Sequence, residues 1–215
     1  MPSRDQVMAR IEAAGAVAVI RLHDETGLVK VAEALLSGGL DCIEFTMTTP
    51  GALQVMEQVT QQFGDRILLG AGTVLDAEMA DAALLAGARF VVGPNLSIPV
   101  IELCHRRGVV VVPGTFTPTE IYAAWRAGAD MIKVFPAYIG GPRYIRAILA
   151  PLPQVKLMPT GGVTLQNAAD FVRAGAVAVG LGSALVDEAA VQEGRFEVLT
   201  ERSAQLVAAI RRALA

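Results

Sequence analysis

The 215-residue sequence has few cysteines and few histidines, and each shortage excludes a class of protein. The two cysteines, Cys42 and Cys104, lie inside apolar segments. They predict reduced core residues of a cytoplasmic protein, not a disulfide framework. The two histidines, His23 and His105, lack the spacing of metal ligands, so we expect no metal site.

Positive charge and long apolar runs are also scarce. The net charge is −3 and no basic cluster is present, which argues against nucleic acid as a partner. No uninterrupted apolar stretch could span a bilayer and the N-terminal residues lack a signal-peptide layout, so we expect no membrane partner. The chain is nevertheless 53% hydrophobic with a mean hydropathy of +0.48, which indicates buried strands and apolar surface covered by a second subunit.

A repeated unit organises the chain: a helix ends in glycine and a short apolar run follows at once. Ala-Gly-Ala joints at 86–88, 127–129 and 174–176 are its clearest copies. The apolar runs cover 16–21, 40–47, 67–72, 89–93, 109–113, 130–135, 155–159 and 177–181. Eight such runs without polar alternation predict parallel strands covered on both faces.

The helix starts between these runs complete the fold prediction. Thr117, followed by proline, is a probable N-cap, as are Asp24 and Thr164, and Ser3 begins an extra helix before the first strand. We expect residues 1–215 to form a single α/β domain, a (β/α)8 TIM barrel with an extra N-terminal helix. A doubly wound open sheet is the alternative.

Lys133 is the most informative residue, because it is a lone lysine in the apolar run 131–136. Burial in such a strand lowers the pKa of an amine, and a partly neutral lysine forms Schiff bases with carbonyl compounds. A lysine at the strand end that reaches solvent is the alternative.

Glu44 is the second anomaly. The period-two rule places Ile43 and Phe45 on one face of the second strand and Glu44 on the other, so the carboxylate points into the barrel. Lys133 lies on the sixth strand, and alternate strands fill the same layers of a barrel interior. Glu44 and Lys133 should therefore approach each other near the barrel axis, either as a catalytic pair or as a structural ion pair.

Glycine-rich turns follow the seventh and the eighth strands. They contribute Thr160, Gly161 and Gly162 after one strand and Gly182 and Ser183 after the other. Loops in these positions bind phosphate in many barrels through backbone N–H groups and a helix N-terminus. Plain tight turns are the alternative.

Other strand ends add polar and apolar candidates for the pocket, because barrel active sites lie at these ends. They are Arg21, Thr48, Thr73, Pro94 and Phe135. The Arg21 guanidinium suits a substrate carboxylate, although a surface arginine is as compatible with its position.

The sequence resembles the 2-keto-3-deoxy-6-phosphogluconate (KDPG) / 4-hydroxy-2-oxoglutarate (KHG) aldolase family of class I aldolases over about residues 16–186. The motifs are Ile43-Glu44-Phe45-Thr46, Gly70-Ala71-Gly72-Thr73-Val74, Gly93-Pro94, Pro113-Gly114, Ile132-Lys133-Val134-Phe135-Pro136, Pro159-Thr160-Gly161-Gly162 and Gly182-Ser183. The resemblance implies a (β/α)8 barrel that works without a cofactor and assembles as a homotrimer.

The resemblance also implies roles for individual residues. Lys133 would be the Schiff-base lysine and Glu44 the general acid/base, while Thr73 would help to hold the substrate carboxylate. The distal phosphate would contact Gly161, Gly162 and Ser183. Many members have an arginine where this chain has Thr48, and Arg21 would take over its contact with the carboxylate.

The expected activity is cleavage of a small 2-keto acid. The substrate would be KDPG, giving pyruvate and glyceraldehyde 3-phosphate, or KHG, giving pyruvate and glyoxylate. The alternatives are the 6-phosphogalactonate analogue of KDPG, another phosphosugar barrel enzyme without Schiff-base chemistry, or a catalytically silent barrel.

Overall fold

The computed structural model describes residues 2–23 and 27–214, which contain all eight predicted strands. The strands are β1 (Ala16–Ile20), β2 (Cys42–Thr46), β3 (Leu68–Gly72), β4 (Phe90–Val92), β5 in two segments (Val110–Val112 and Gly114–Thr115), β6 (Ile132–Val134), β7 (Leu157–Pro159) and β8 (Val179–Leu181). Pro113 divides β5, because proline has no N–H to donate to the strand ladder.

Helices alternate with the strands, and the predicted extra helix is the first of them. The helices are α1 (Arg4–Ala14), α2 (Leu28–Ser37), α3 (Ala52–Phe63), α4 (Ala77–Leu85), α5 (Ile98–Arg107), α6 (Pro118–Arg126), α7 (Gly141–Leu149), α8 (Ala168–Arg173), α9 (Glu188–Gln192) and α10 (Glu197–Leu214). The Ser3 hydroxyl caps α1 and the Thr117 hydroxyl caps α6, each by accepting a backbone N–H bond at 3.3 Å. Asp24, the predicted cap of α2, lies outside the described residues.

All strand pairs are parallel, and the sheet closes on itself. One run of pairs joins β5, β4, β3, β2, β1 and β8, and a second run joins the end of β5 to β6 and β7. β1 pairs with β8 through Ala16 and Val179, so the first and the last strands are neighbours. A parallel bridge between Thr160 and Gly180 joins the end of β7 to β8. The predicted (β/α)8 barrel is confirmed, because the edges of a doubly wound sheet would stay unpaired.

Two apolar cores hold the barrel together. Ile43 and Phe45 point outward and pack with the helices in the larger core. Phe90 and Met158 point inward, and Ile11 of α1 packs with them in a smaller core at the amino ends of the strands. Full burial of one such side chain contributes about 1.5–3 kcal/mol. Helix α1 therefore covers one end of the barrel, and the carboxyl ends of the strands stay open for a site.

A span across a membrane would require a long apolar helix. Among the described residues, no helix combines the length and the apolar character that such a span needs.

Candidate active site

A cavity of about 320 Å³ opens at the carboxyl ends of the strands. Eight of the twelve residues that the sequence predicts for the site line this cavity. They are Arg21, Lys133, Phe135, Thr160, Gly161, Gly162, Gly182 and Ser183. A smaller cavity of about 160 Å³ lies elsewhere, beside the start of β3, and contains none of them.

Lys133 lies on β6 and is only 4% exposed. This burial contradicts the alternative of a lysine that reaches solvent. Its Nζ atom lies 5.3 Å from the centre of the Phe135 ring, at the cavity wall. Burial lowers the pKa of the Lys133 amine, the Glu44 carboxylate opposes this shift, and the positive charge of Arg21 adds to it. The amine is thus shifted toward its neutral, nucleophilic form.

Glu44 lies on β2 and is fully buried inside the barrel, as the period-two rule predicts. Neither of its carboxylate oxygens has a hydrogen-bond partner among the described residues, so Glu44 and Lys133 form no direct hydrogen-bonded ion pair. Burial raises the pKa of Glu44, and the positive charges of Lys133 and Arg21 oppose this shift.

Both pKa shifts favour transfer of a proton from the Lys133 ammonium group to the Glu44 carboxylate. A raised pKa at Glu44 and a lowered pKa at Lys133 both favour a protonated carboxyl group beside a neutral amine. Such a pair can attack a carbonyl carbon and then donate a proton to the oxygen that leaves. The arrangement differs from a structural ion pair, in which both groups would be charged and in contact.

Arg21 and Thr73, the residues predicted to bind a carboxylate, lie together although 52 positions separate them. The Arg21 guanidinium donates a hydrogen bond to Thr73 Oγ1 at 3.2 Å. Thr73 has a φ of 58° and is the only non-glycine residue with a positive φ in the described part of the chain. A threonine in the left-handed region is strained, and such strain concentrates at functional sites.

The four predicted site residues that are absent from the lining of the cavity are Glu44, Thr73, Thr48 and Pro94. The exposed Thr48 hydroxyl is 3.1 Å from the Thr46 hydroxyl, at the end of β2. The backbone of Pro94 lies directly against Gly114, where a Cβ atom would collide with it.

The loops after β7 and β8 bring bare backbone to the cavity. Gly161 and Gly162 have φ values of 84° and 79°, which favour glycine over any residue with a side chain. The Asn167 side-chain amide donates to the Gly162 carbonyl at 3.1 Å and fixes the first loop. The Gly182 carbonyl accepts two backbone N–H bonds at 2.9 Å, from Leu185 and Val186, and fixes the second.

The helices after these loops begin later than the sequence suggested. Helix α8 starts at Ala168 and α9 at Glu188, so neither glycine turn leads directly into a helix N-terminus. Thr164, predicted as a cap, exchanges hydrogen bonds with Asn167 in the reciprocal pattern of a capping box, one turn before α8. The turn leads into the helix, since the Ala168 N–H donates to the Thr164 carbonyl at 3.0 Å.

Sequence reasoning missed the apolar wall of the cavity and one residue that supports it. Val19 and Val186 line the cavity, and Asn167 holds the Gly162 loop. The period-two rule could have found Val19 on β1, since it lies two residues before Arg21, which directly follows the strand. No comparable local signal marks Val186.

No group of three or more metal-ligating side chains lies together in residues 2–23 and 27–214.

A buried amine and a buried carboxyl group at the mouth of a barrel suit an enzyme that acts on carbonyl compounds. Residues 7–201 match the family of KDPG and KHG aldolases. The chain belongs to this family and is an aldolase.

Three known proteins illustrate the match. The chain is 36% identical over 200 residues to the 2-dehydro-3-deoxy-phosphogluconate aldolase of Treponema pallidum (strain Nichols), covering 93% of this chain and 95% of the relative. It is 37% identical over 177 residues to the 2-dehydro-3-deoxy-6-phosphogalactonate aldolase of Escherichia coli (strain K12), covering 82% of each. The KDPG aldolase from Legionella pneumophila, solved with pyruvate captured at low pH as a covalent carbinolamine intermediate, superposes with a TM-score of 0.86 at 30% identity, covering 94% of this chain and 98% of that chain.

Proposed function

We propose that the protein is a class I aldolase that cleaves KDPG to pyruvate and glyceraldehyde 3-phosphate through a Schiff base on Lys133. One observation carries this proposal: the Lys133 amine is buried at the wall of the cavity and faces a buried Glu44 that does not bond to it. Lysine in such surroundings is the nucleophile that Schiff-base chemistry needs.

The directions of the two pKa shifts support each step of the reaction. Neutral Lys133 attacks the C2 ketone, and protonated Glu44 gives its proton to the hydroxyl that leaves as water, which forms an iminium ion. The Glu44 carboxylate then takes the C4 hydroxyl proton, the C3–C4 bond breaks, and its electrons pass into an enamine as the aldehyde departs. Glu44 returns that proton to C3, and water releases pyruvate from Lys133.

The two ends of the cavity support recognition of both ends of the substrate. The Arg21 guanidinium beside Thr73 suits the substrate carboxylate. The loops carrying Gly161, Gly162 and Ser183 suit a terminal phosphate, since bare backbone lets an anion approach N–H groups closely. KHG, which has no phosphate, would use the first contact alone.

The C4 epimer, 2-keto-3-deoxy-6-phosphogalactonate, is a second candidate substrate. The 37% identity to the Escherichia coli aldolase named for that compound favours it. Both epimers place the same carboxylate and phosphate at the ends of the cavity and differ only in the configuration of C4, the carbon whose hydroxyl proton Glu44 takes.

We also propose that the protein is a homotrimer of the cytoplasm. Large apolar side chains lie exposed on its surface, including Leu75, Leu85 and Tyr138. The two free cysteines are buried, which suits a reducing compartment. Light scattering coupled to size exclusion measures the mass of the assembly, and a monomer would overturn the trimer.

Covalent trapping tests the chemistry. Incubation with pyruvate and borohydride is expected to add one pyruvyl-derived mass per chain and to stop activity, because borohydride reduces the iminium to a stable amine. The chain has three lysines, so peptide mapping assigns the adduct to Lys30, Lys133 or Lys156. An adduct on a lysine other than Lys133, or an active enzyme that traps nothing, would remove the Schiff-base mechanism.

Two variants test substrate recognition. Arg21→Ala is expected to lower kcat/KM for every substrate alike, because all carry the same carboxylate. Ser183→Asp is expected to harm only phosphorylated substrates, because it places a negative charge beside the phosphate. A charge-assisted contact contributes about 1.5–3 kcal/mol, so each loss should reach about tenfold or more.

The deciding quantity is the ratio of kcat/KM for KDPG to that for KHG. Arg21→Ala should leave this ratio nearly unchanged and Ser183→Asp should collapse it. A wild-type ratio near one would contradict phosphate recognition and favour KHG as the substrate.

A further inference from the structure

The face of β3 that points into the barrel carries two glycines, and side chains from the neighbouring strands β2 and β4 occupy the space beside them. Leu68 points into the barrel, and Gly70 and Gly72 follow it on the same face because side chains alternate along a strand. The Phe90 ring of β4 lies over Gly70, where a Cβ atom would collide with it. The Glu44 side chain of β2 lies over Gly72 in the same manner. The two glycines thus admit two side chains from the strands on either side.

The contact between Gly72 and Glu44 is specific. A Cβ atom on Gly72 would lie 2.5 Å from Glu44 Oε1, 2.9 Å from its Cδ and 3.4 Å from its Cγ, and these are its three nearest neighbours. Gly72 has no positive φ, so the backbone itself does not require glycine. An alanine at position 72 would therefore act by filling the space beside the Cα atom.

This space determines where the carboxyl group can lie. Glu44 rests against the wall formed by β3, and neither of its oxygens reaches a hydrogen-bond partner among the described residues. A methyl group on Gly72 would push the carboxyl group off that wall and toward the barrel axis, where Lys133 approaches from β6.

We propose that Gly72 is the positioning residue for Glu44, whose carboxyl group its bare Cα keeps against β3 and out of contact with Lys133. The inference rests on the proposed Schiff-base function and deepens it. Gly72 has no side chain to take part in the reaction; it acts through Glu44, by preserving the separation between the carboxyl group and the Lys133 amine.

Gly72→Ala is expected to lower kcat by about tenfold to a hundredfold, the scale of a misplacement of roughly 1 Å in a catalytic group. It should also move the midpoint of pyruvate trapping against pH upward by about one unit, because a closer carboxylate stabilises the ammonium form of Lys133. Gly70→Ala is the matched control: it adds a methyl group to the same face of the same strand, against Phe90, and should leave the midpoint in place.

A double-mutant cycle separates positioning from general damage. In a Glu44→Gln background, Gly72→Ala should change kcat by less than about twofold, because no carboxylate remains to be misplaced. The proposal is wrong if the losses of kcat in Glu44→Gln and in Gly72→Ala are fully additive in the double variant. It is also wrong if the pH midpoint of pyruvate trapping in Gly72→Ala equals that of the wild type. If Glu44→Gln alone keeps wild-type kcat, Glu44 has no catalytic role for Gly72 to support, and the proposal is wrong. Failure of the proposed function is a separate result, the absence of pyruvate trapping on Lys133 in the wild type.

A stability measurement covers the case in which Gly72→Ala does not fold. The double variant Glu44→Ala/Gly72→Ala removes the side chain that the methyl group would meet, so it should unfold at the same urea concentration as Glu44→Ala. Folding of the double variant supports the proposal. Loss of folding in both variants shows that the methyl group collides with something other than Glu44, and the proposal is wrong.

Discussion

Lys133→Met is expected to abolish aldol cleavage, with kcat reduced by on the order of 10⁴-fold or more, and to eliminate trapping by pyruvate and borohydride. The thioether fills a similar volume but cannot attack a carbonyl, so no covalent intermediate forms. Removal of a buried amine leaves no unpaired partner behind, since the Glu44 oxygens make no hydrogen bond to it. We therefore expect the variant to fold, as circular dichroism and urea unfolding would verify.

Two further variants test whether the loss of activity is specific to the Lys133 amine. Lys133→Arg keeps a cation at the position and should be as inactive as Lys133→Met, because a guanidinium does not form Schiff bases under these conditions. Lys156→Met is the matched control, since the Lys156 ammonium pairs with Glu12 Oε1 at 2.6 Å outside the cavity. It should retain wild-type activity. Appreciable cleavage by Lys133→Met would show that Lys133 serves only to bind an anion.

Glu44→Gln should lower kcat by about 10²–10⁴-fold, the usual effect of losing a general acid–base group. The amide keeps the shape of the side chain beside Gly72 but can neither give up nor accept the proton that the cleavage moves. The loss should fall on kcat more than on KM, because Glu44 moves a proton in the reaction and is not one of the groups proposed to hold the carboxylate or the phosphate. Initial-rate kinetics with KDPG separate the two parameters.

The pH dependence provides a second readout of Glu44. In the wild type, its carboxylate holds the pKa of Lys133 higher than burial and Arg21 alone would leave it. Without that charge the amine stays neutral at lower pH, so the trapping midpoint of Glu44→Gln should move downward. Glu12→Gln, at the other end of the Lys156 pair, serves as the control. A near-normal kcat in Glu44→Gln would exclude Glu44 from the mechanism.

The sequence was sufficient for the barrel and for the placement of its two central residues. All eight strands were predicted within about two residues at each end, because a buried parallel strand leaves a short unbroken apolar run and a glycine marks the helix end before it. The alternation of side chains along β2 was enough to direct Glu44 inward, since that period is a property of the extended backbone alone.

The helix starts after β7 and β8 show where local patterns were insufficient. The sequence suggested that Thr164 caps a helix directly after the glycine turn, but the helix begins at Ala168. The Thr164 hydroxyl accepts from the Asn167 N–H as a cap would, and the Asn167 side chain also reaches the Gly162 carbonyl, so a turn at 164–167 precedes the helix. Where such a turn passes into regular helix depends on what each side chain can reach in three dimensions.

Only the tertiary structure decided how the site residues meet. Arg21 and Thr73 are 52 positions apart, and their hydrogen bond exists because β1 and β3 end at the same rim and Thr73 adopts a left-handed backbone. The Glu44 side chain likewise lies over the bare Cα of Gly72 on the neighbouring strand β3, a contact that no local pattern in the sequence predicts. Sequence periodicity fixes the face on which a side chain lies, but closure of the barrel and side-chain torsions fix which atoms come into contact.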